Sequence, residues 1–302
     1  MIRPRPLALL LTLSLVACSD DGTTAPDVAV PDTGPGVDAP VADGPTVDQP
    51  PPVEGGAPDG PSGDTLQQST EQEPNNGSTS TEYNTIQIPA LVTGAIGQPD
   101  DIDLFGVAAL AGERFTVTVT SDGALQPHLV VFDPADKLPT AAHPGPGASV
   151  MAEYYPLKSV TLLIGVRDRR NVGSSSQHVG GAGFTYTLSV TPLTRAPMTI
   201  TVGGQQSAAL DPPGTARVFS FSASQNDDLD IAVLTGGSDV DARLSLFHPG
   251  QKAWLGTNDD LVSSDALLTG PMPFSGTFHA IVENVAETFG SNLGFTLKIT
   301  KN

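Results

Sequence analysis

The chain has one cysteine in 302 residues, Cys18, so it cannot form an internal disulfide bond. Aromatic residues make up only 5% of it, and 14 Lys and Arg stand against 33 Asp and Glu, a formal net charge of −19. Because proteins bind nucleic acids by neutralising phosphates with Lys and Arg, this balance argues against a nucleic-acid partner. The 32 glycines and 28 prolines instead suit a turn-rich β protein that also carries a disordered segment.

Residues 1–17 have the pattern of an export signal. Two arginines precede an apolar core at 7–16, which is too short to span a bilayer as a mature helix. Residues 15–18 (LVAC) then resemble the lipobox of bacterial lipoproteins. That resemblance implies cleavage before Cys18 and lipidation of its thiol, which anchors the chain to the cell envelope. In the sorting pattern of enterobacterial lipoproteins, a serine instead of an aspartate directly after the lipidated cysteine favours the outer membrane, and Ser19 stands at that position. An ordinary secretory signal with a chance cysteine is the alternative.

The segment 18–65 is predicted to be a disordered tether. It contains ten prolines and ten acidic residues but no Lys or Arg. A segment of this composition cannot bury a hydrophobic core, so it is expected to stay extended and partly polyproline II.

From Leu66 onward the sequence predicts β-strands. Phe115, Val117 and Val119 alternate with threonines, which is the period of a half-buried strand. Similar patterns occur at three further places, 129–132, 184–190 and 217–221. No stretch shows a helical period.

An internal repeat predicts two domains. Residues 103–107 align with 217–221, and the alignment continues without a gap from 115–119 to 229–233. We therefore predict an all-β protein with two tandem antiparallel β-sandwiches, at 66–195 and 196–302.

One acidic motif opens the first repeat. Glu71 and Glu73 are two residues apart, and Pro74 disfavours helix for the residue before it, so both carboxylates can share one face of an extended chain. A second acidic group follows at 100–103. Clustered oxygens at a bend suit Ca²⁺. Spacing alone favours the alternative, which is two solvated turns at strand ends.

These motifs together resemble a known family. The stretch 71–76 (EQEPNN), Gly94, 101–105 (DIDLF) and the closing strand 184–190 are similar to the bacterial pre-peptidase C-terminal domain and to the collagen-binding domain of clostridial collagenases. The resemblance implies a jelly-roll sandwich that is a non-catalytic appendage. It also implies a calcium site, whose ligands here would be Glu71, Glu73, Asn75, Asn76, Asp101 and Asp103, with Asp100 as an extra candidate.

The second repeat lacks the acidic opening. Thr215 and Arg217 stand where the first repeat has Asp101 and Asp103. We therefore predict that Ca²⁺ binds the first domain alone.

Other candidate binding residues are few. Trp254 is the only tryptophan, and it is either a stacking platform for a ligand or a residue that packs across its own hairpin. Arg167, Arg169 and Arg170 form one basic cluster, which is either a partner site or a set of solvated charges. His248 replaces Asp133 in the repeat, which suggests a tolerant turn position.

The predicted function is a non-catalytic, lipid-anchored protein that displays binding modules at the envelope. Its partner would be an extracellular protein fibre, a glycan or a secreted hydrolase. One alternative is a hydrolase or peptidase accessory that uses acids such as Asp259 and Asp260. Another is a purely structural stalk.

Overall fold

The computed structural model describes residues 66–75, 82–134, 140–142, 149–172, 178–259, 265–285 and 292–302, with the backbone alone for 140–142. This part of the chain is all-β, with nineteen strands and two short 3-10 turns, so the predicted fold class is confirmed. No helix within it is long and apolar enough to cross a bilayer. The predicted signal, Cys18 and the tether lie outside the described residues.

The first half of the fold contains ten strands in two sheets. The strands are β1 (Gln67–Thr70), β2 (Asn84–Ile86), β3 (Ala90–Ala95), β4 (Ile102–Ala109), β5 (Phe115–Ser121), β6 (Pro127–Phe132), β7 (Thr140–Ala142), β8 (Ser149–Tyr154), β9 (Val160–Asp168) and β10 (Thr185–Pro192). Their spatial orders are β1-β3-β10-β5-β8 and β2-β4-β9-β6-β7. A 3-10 turn, Arg169–Asn171, follows β9.

The second half repeats this arrangement with nine strands. They are β11 (Met198–Thr199), β12 (Gln205–Ala209), β13 (Arg217–Ala223), β14 (Asp228–Leu234), β15 (Ala242–His248), β16 (Ala253–Asn258), β17 (Ala266–Pro271), β18 (Gly276–Asn284) and β19 (Gly294–Lys301). Their spatial orders are β12-β19-β14-β17 and β11-β13-β18-β15-β16. A 3-10 turn, Pro249–Gln251, joins β15 to β16.

The two halves share one topology, strand for strand, apart from β1. Pairing is antiparallel except at three short strands, β1, β2 and β11, which pair in parallel. The registers agree as well, since Asp103 lies opposite Val166 in the first half and Arg217 lies opposite Val282 in the second. Among the described residues, β1 is the strand without a counterpart, and the acidic motif follows it directly. The domain boundaries at 66, 195 and 302 stay a prediction.

Each pair of sheets encloses its own hydrophobic core. In β5, Phe115, Val117 and Val119 are fully buried while the intervening threonines are half-buried, as the alternating sequence predicts. The first core combines side chains from both sheets of its half, including Phe105 of β4 and Leu188 of β10. The second core does the same. Burial of these alternating faces is the main stabilising contribution of both sandwiches.

A third, smaller cluster joins the sandwiches. Tyr155 of the first half packs against Val218, Phe247 and Ile281 of the second, and its ring meets Phe247 edge-on with centroids 5.5 Å apart. The Tyr155 hydroxyl also lies 2.8 Å from Nδ1 of His279. The halves therefore share a packed interface.

We expect acid to weaken this interface through His279. Burial, followed by the positive charge of Arg114, lowers the pKa of His279 to about 4, whereas an unfolded histidine titrates near ~6.5. The unfolded chain therefore binds a proton in this window that the folded chain does not. The stabilisation from neutral His279 is complete above pH ~6.5 and is lost as pH falls through about 4.

The measurement is urea unfolding of the wild type and of His279→Gln at several pH values in that range. Other carboxylates titrate there too, so the difference between the two proteins is the readout. The wild type should lose more stability than the variant as pH falls. Parallel pH profiles would contradict the prediction.

Candidate metal centre and ligand cleft

The acidic motif lies where the chain crosses from one sheet of the first sandwich to the other. Directly after β1, the Glu71 backbone N–H donates to the Thr93 carbonyl at 3.0 Å, and its Oε1 accepts from the Ala95 N–H at 2.7 Å. Four residues on, the Asn75 carbonyl accepts from the Leu104 N–H of β4 at 3.0 Å. The motif is therefore tied to both sheets.

Three carboxylates converge there. Glu71, Glu73 and Asp103 each offer one oxygen, and these oxygens lie within 4.8 Å of one another. Asp103 is fully buried, Glu71 is half-buried and Glu73 is exposed. Two ligands of one Ca²⁺ ion can be at most ~5 Å apart, since each bond is about 2.3–2.6 Å long. The spacing and the oxygen donors therefore fit that ion.

One tyrosine hydroxyl lies within hydrogen-bond distance of two of these acids. The Tyr186 hydroxyl of β10 lies 2.7 Å from Oε2 of Glu71 and 2.6 Å from Oδ2 of Asp103. A phenol carries a single proton, so it donates to only one of them at a time. The carboxylates therefore keep acceptor capacity for a cation.

Burial and mutual repulsion disfavour the charged forms of these acids. Burial, followed by the hydrogen bond with Glu71, raises the pKa of Asp103 to about 9. Burial also raises the pKa of Asp101 and that of Glu73, and neighbouring negative charges add to both shifts. Buried negative charge without a cation is costly. A divalent cation would offset that cost and allow the ligands to ionise together.

The other predicted ligands differ in their placement. Asp101 is buried close by, and its Oδ2 accepts from the Gly97 N–H at 2.8 Å. Asn75 is buried within the motif, while Asn76 lies outside the described residues. Asp100 contacts the His178 ring instead of joining the three converging acids.

Gly94 and Tyr186 belong to stretches that the family resemblance included, but the sequence did not assign either residue to the site. They lie opposite each other on β3 and β10. A Cβ atom built on Gly94 would come within 2.4 Å of both Glu71 Oε2 and the Tyr186 hydroxyl. Only a residue without a side chain lets these two groups meet. The signal is a cross-strand register, which the sequence alone does not show.

We therefore expect Gly94→Ala to abolish calcium binding while the sandwich stays folded. The methyl group forces the Glu71 carboxylate or the Tyr186 ring away from the other acids. Calorimetric titration with Ca²⁺ is the measurement, and Gly183→Ala, where an added Cβ meets no atom within 4 Å, is the matched control. Unchanged calcium affinity in Gly94→Ala would contradict this assignment.

The second sandwich has an arginine at the equivalent position. The Arg217 guanidinium donates to the carbonyls of Ala209 and Asp211, at 2.7 and 2.8 Å. The Arg217 guanidinium and two backbone carbonyls therefore occupy the position that corresponds to Asp103 in the first sandwich. In the described part of the chain, the group of three acids after β1 is the one candidate metal cluster.

A separate cleft lies between the sandwiches, with a volume of about 360 Å³. Its lining includes Trp254, which is 43% exposed. The indole N–H donates to Thr257 at 3.0 Å, and the Lys158 ammonium lies 4.6 Å from the ring centroid. Trp254 therefore faces the cleft with its ring partly open to solvent. The cleft wall also carries acidic side chains, namely Asp133, Asp259 and Glu283.

Two arginines of the predicted basic cluster, Arg167 and Arg170, make hydrogen bonds within the protein. Arg170 makes hydrogen bonds of 2.8 Å with both oxygens of the buried Asp168. Burial alone would raise the pKa of Asp168, but these bonds, the backbone N–H groups of Gln126 and Arg170 and the Arg170 charge together lower it. Arg167 donates to Nδ1 of His128 at 3.2 Å, and Arg169 is exposed.

No protein family and no curated protein matches this sequence. Solved structures similar to it include the pre-peptidase C-terminal domain of a collagenase from Bacillus anthracis, with TM-score 0.30 and 13% identity, over 35% of this chain and 99% of that one. A periplasmic inhibitor of g-type lysozyme from Aeromonas hydrophila has TM-score 0.23 and 18% identity, over 35% of this chain and 100% of that one.

A Clostridium perfringens structure of an M60 catalytic domain with two CBM51 domains has TM-score 0.22 and 7% identity, over 69% of this chain and 36% of that one. Because all three TM-scores are low, these likenesses carry no argument about the activity or ligand of this chain.

Proposed function

We propose that this protein is a non-catalytic binding module, lipid-anchored to the cell envelope through Cys18 and stabilised by one Ca²⁺ ion in its first sandwich. The observation that supports the calcium ion is the convergence of Glu71, Glu73 and Asp103 after β1. A cation there would hold the start of the folded region against both sheets. The ion would supply structural support, and the displayed surface would supply binding.

The cleft at Trp254 is the surface we assign to ligand binding. The exposed part of the Trp254 indole provides a rigid contact area for the apolar face of a sugar ring. The carboxylates and hydroxyls along the wall accept and donate hydrogen bonds, as a polyhydroxylated ligand requires. A glycan is therefore the ligand class this cleft supports.

The experiment is binding of the protein to glycan and extracellular-protein arrays, with Trp254→Ala and the control Leu234→Ala, an exposed apolar residue that does not line the cleft. Glycan signals that disappear in Trp254→Ala alone support the assignment. Binding to nothing on either array, or equal binding by both variants, contradicts it.

A hydrolase is the second candidate, and one observation favours it. Asp133 and Asp259 line the same cleft as Trp254, and two carboxylates that face one ligand can perform acid–base catalysis. Asp260 lies outside the described residues. Incubation with any bound glycan decides between the two functions: product release that Asp259→Asn abolishes would establish the hydrolase.

The lipid anchor has its own prediction. Cys18→Ser removes the only thiol of the chain. We expect the variant to lose metabolic fatty-acid labelling and to leave the membrane fraction, because the lipid is the proposed attachment. Ser19→Ala is the matched control and should stay labelled. Unchanged labelling of Cys18→Ser would contradict the anchor.

A further inference from the structure

Three arginines line one cavity at the junction of the two sandwiches. Arg114 lies just before β5, Arg195 lies in the segment that connects β10 to β11, and Arg217 begins β13. The cavity has a volume of about 280 Å³. A strongly acidic chain with only 14 basic residues thus places three of them around one small space.

Most of their hydrogen bonds go to backbone carbonyls. Arg114 donates to Leu193 at 3.3 Å, and Arg217 donates to two carbonyls, as described above. Arg195 donates to the Ala216 carbonyl at 2.9 Å and to the buried Glu153 carboxylate at 2.5 Å. Among the described residues, Glu153 is the one carboxylate hydrogen-bonded to any of these three arginines.

The remaining charge is poorly compensated. Burial, followed by the charge of Arg195, lowers the pKa of Arg217, and the same repulsion adds to the effect of burial on Arg114. The negative charges of Glu153 and Asp211 act on Arg217 in the opposite direction without cancelling the shift. A guanidinium has five N–H donors, so each arginine keeps donors beyond the bonds it makes.

We propose that Arg114, Arg195 and Arg217 form a binding site for a tetrahedral oxyanion, a phosphate or sulfate group. The fork of a guanidinium matches the oxygens of such a group and binds them through charge-assisted hydrogen bonds. A water molecule accounts for ~30 Å³ of liquid, so the cavity has room for a hydrated oxyanion. Because the three arginines come from the first sandwich, the connection and the second sandwich, a bound oxyanion links all three parts.

The test is calorimetric titration of the full chain, without calcium, with inorganic phosphate, inorganic sulfate and dextran sulfate. The wild type should bind one inorganic oxyanion per chain, or dextran sulfate if the natural source is a sulfated polymer. Arg217→Gln and Arg114→Gln should each weaken binding about tenfold or more, because each removes charged hydrogen bonds.

The control is Lys298→Gln, which removes the same charge from an exposed position outside the cavity. It should bind like the wild type. Circular dichroism establishes that each variant is folded, and two independent variants guard against misfolding of one. The proposal is overturned if the wild type binds none of the three probes, or if Lys298→Gln weakens binding as much as the arginine variants do.

Discussion

Calcium is expected to raise the unfolding temperature of the wild-type protein and to raise that of Asp103→Asn much less. A ligand that binds only the folded state stabilises it by ~2.7 kcal/mol at a hundredfold excess over Kd. For a folded region of this size, that corresponds to roughly 5–10 °C. Asp103 is the fully buried member of the cluster, so its replacement should remove most of the binding.

Without calcium, we expect the wild type to lose its stability advantage over Asp103→Asn. The native fold disfavours the Asp103 carboxylate, because burial and the hydrogen bond with Glu71 raise its pKa to about 9. An amide removes that cost and can still accept the Tyr186 hydrogen bond. We expect calcium-free Asp103→Asn to be at least as stable as the calcium-free wild type.

The measurement is thermal unfolding with calcium and with chelator. Asp228→Asn is the control, because Asp228 is exposed at the start of β14, and its calcium shift should equal that of the wild type. A calcium shift retained by Asp103→Asn, or absent from the wild type, would count against the site.

Glu283→Ala should destabilise the second sandwich by about 3–5 kcal/mol. Arg243 and Glu283 lie directly opposite each other on β15 and β18, with Nη2 and Oε2 2.9 Å apart and side chains only 7% and 10% exposed. Removal of the Glu283 carboxylate takes two charged hydrogen bonds from a buried guanidinium. That desolvated charge is the source of the cost.

Replacement of both partners should be much milder. Arg243→Met combined with Glu283→Leu removes the charges together and retains apolar volume, so most of the lost stability should return. Denaturant unfolding of Arg243→Met, of Glu283→Leu and of the double variant measures this coupling. If Glu283→Ala unfolds within ~1 kcal/mol of the wild type, the pair is not the buried contact described here.

The strands were largely predictable because their signal is local. Alternating burial in β5 follows directly from Phe115, Val117 and Val119. The repeat was predictable because the equivalent strands of its two copies align in sequence. The structure places Asp103 and Arg217 at equivalent positions of their sheets. An alternating apolar pattern is enough to predict a strand where one face of that strand is buried.

The candidate sites were predictable only in part. The spacing of Glu71 and Glu73 indicated a shared face, but Tyr186 and Gly94 join the site through cross-strand pairing. His248 illustrates the same limit. The sequence suggested a tolerant turn, yet the imidazole is buried, accepts from the Gln251 N–H at 3.1 Å and packs edge-on against Phe278.

Anomalous diffraction from crystals grown with calcium is the decisive measurement for the cluster of three carboxylates, because it locates the ion as well as detecting it. We expect one anomalous peak within bonding distance, about 2.3–2.6 Å, of oxygens from Glu71, Glu73 and Asp103. We expect no peak beside Arg217. An empty cluster at millimolar calcium, or an equal peak in the second sandwich, would contradict the proposed calcium site.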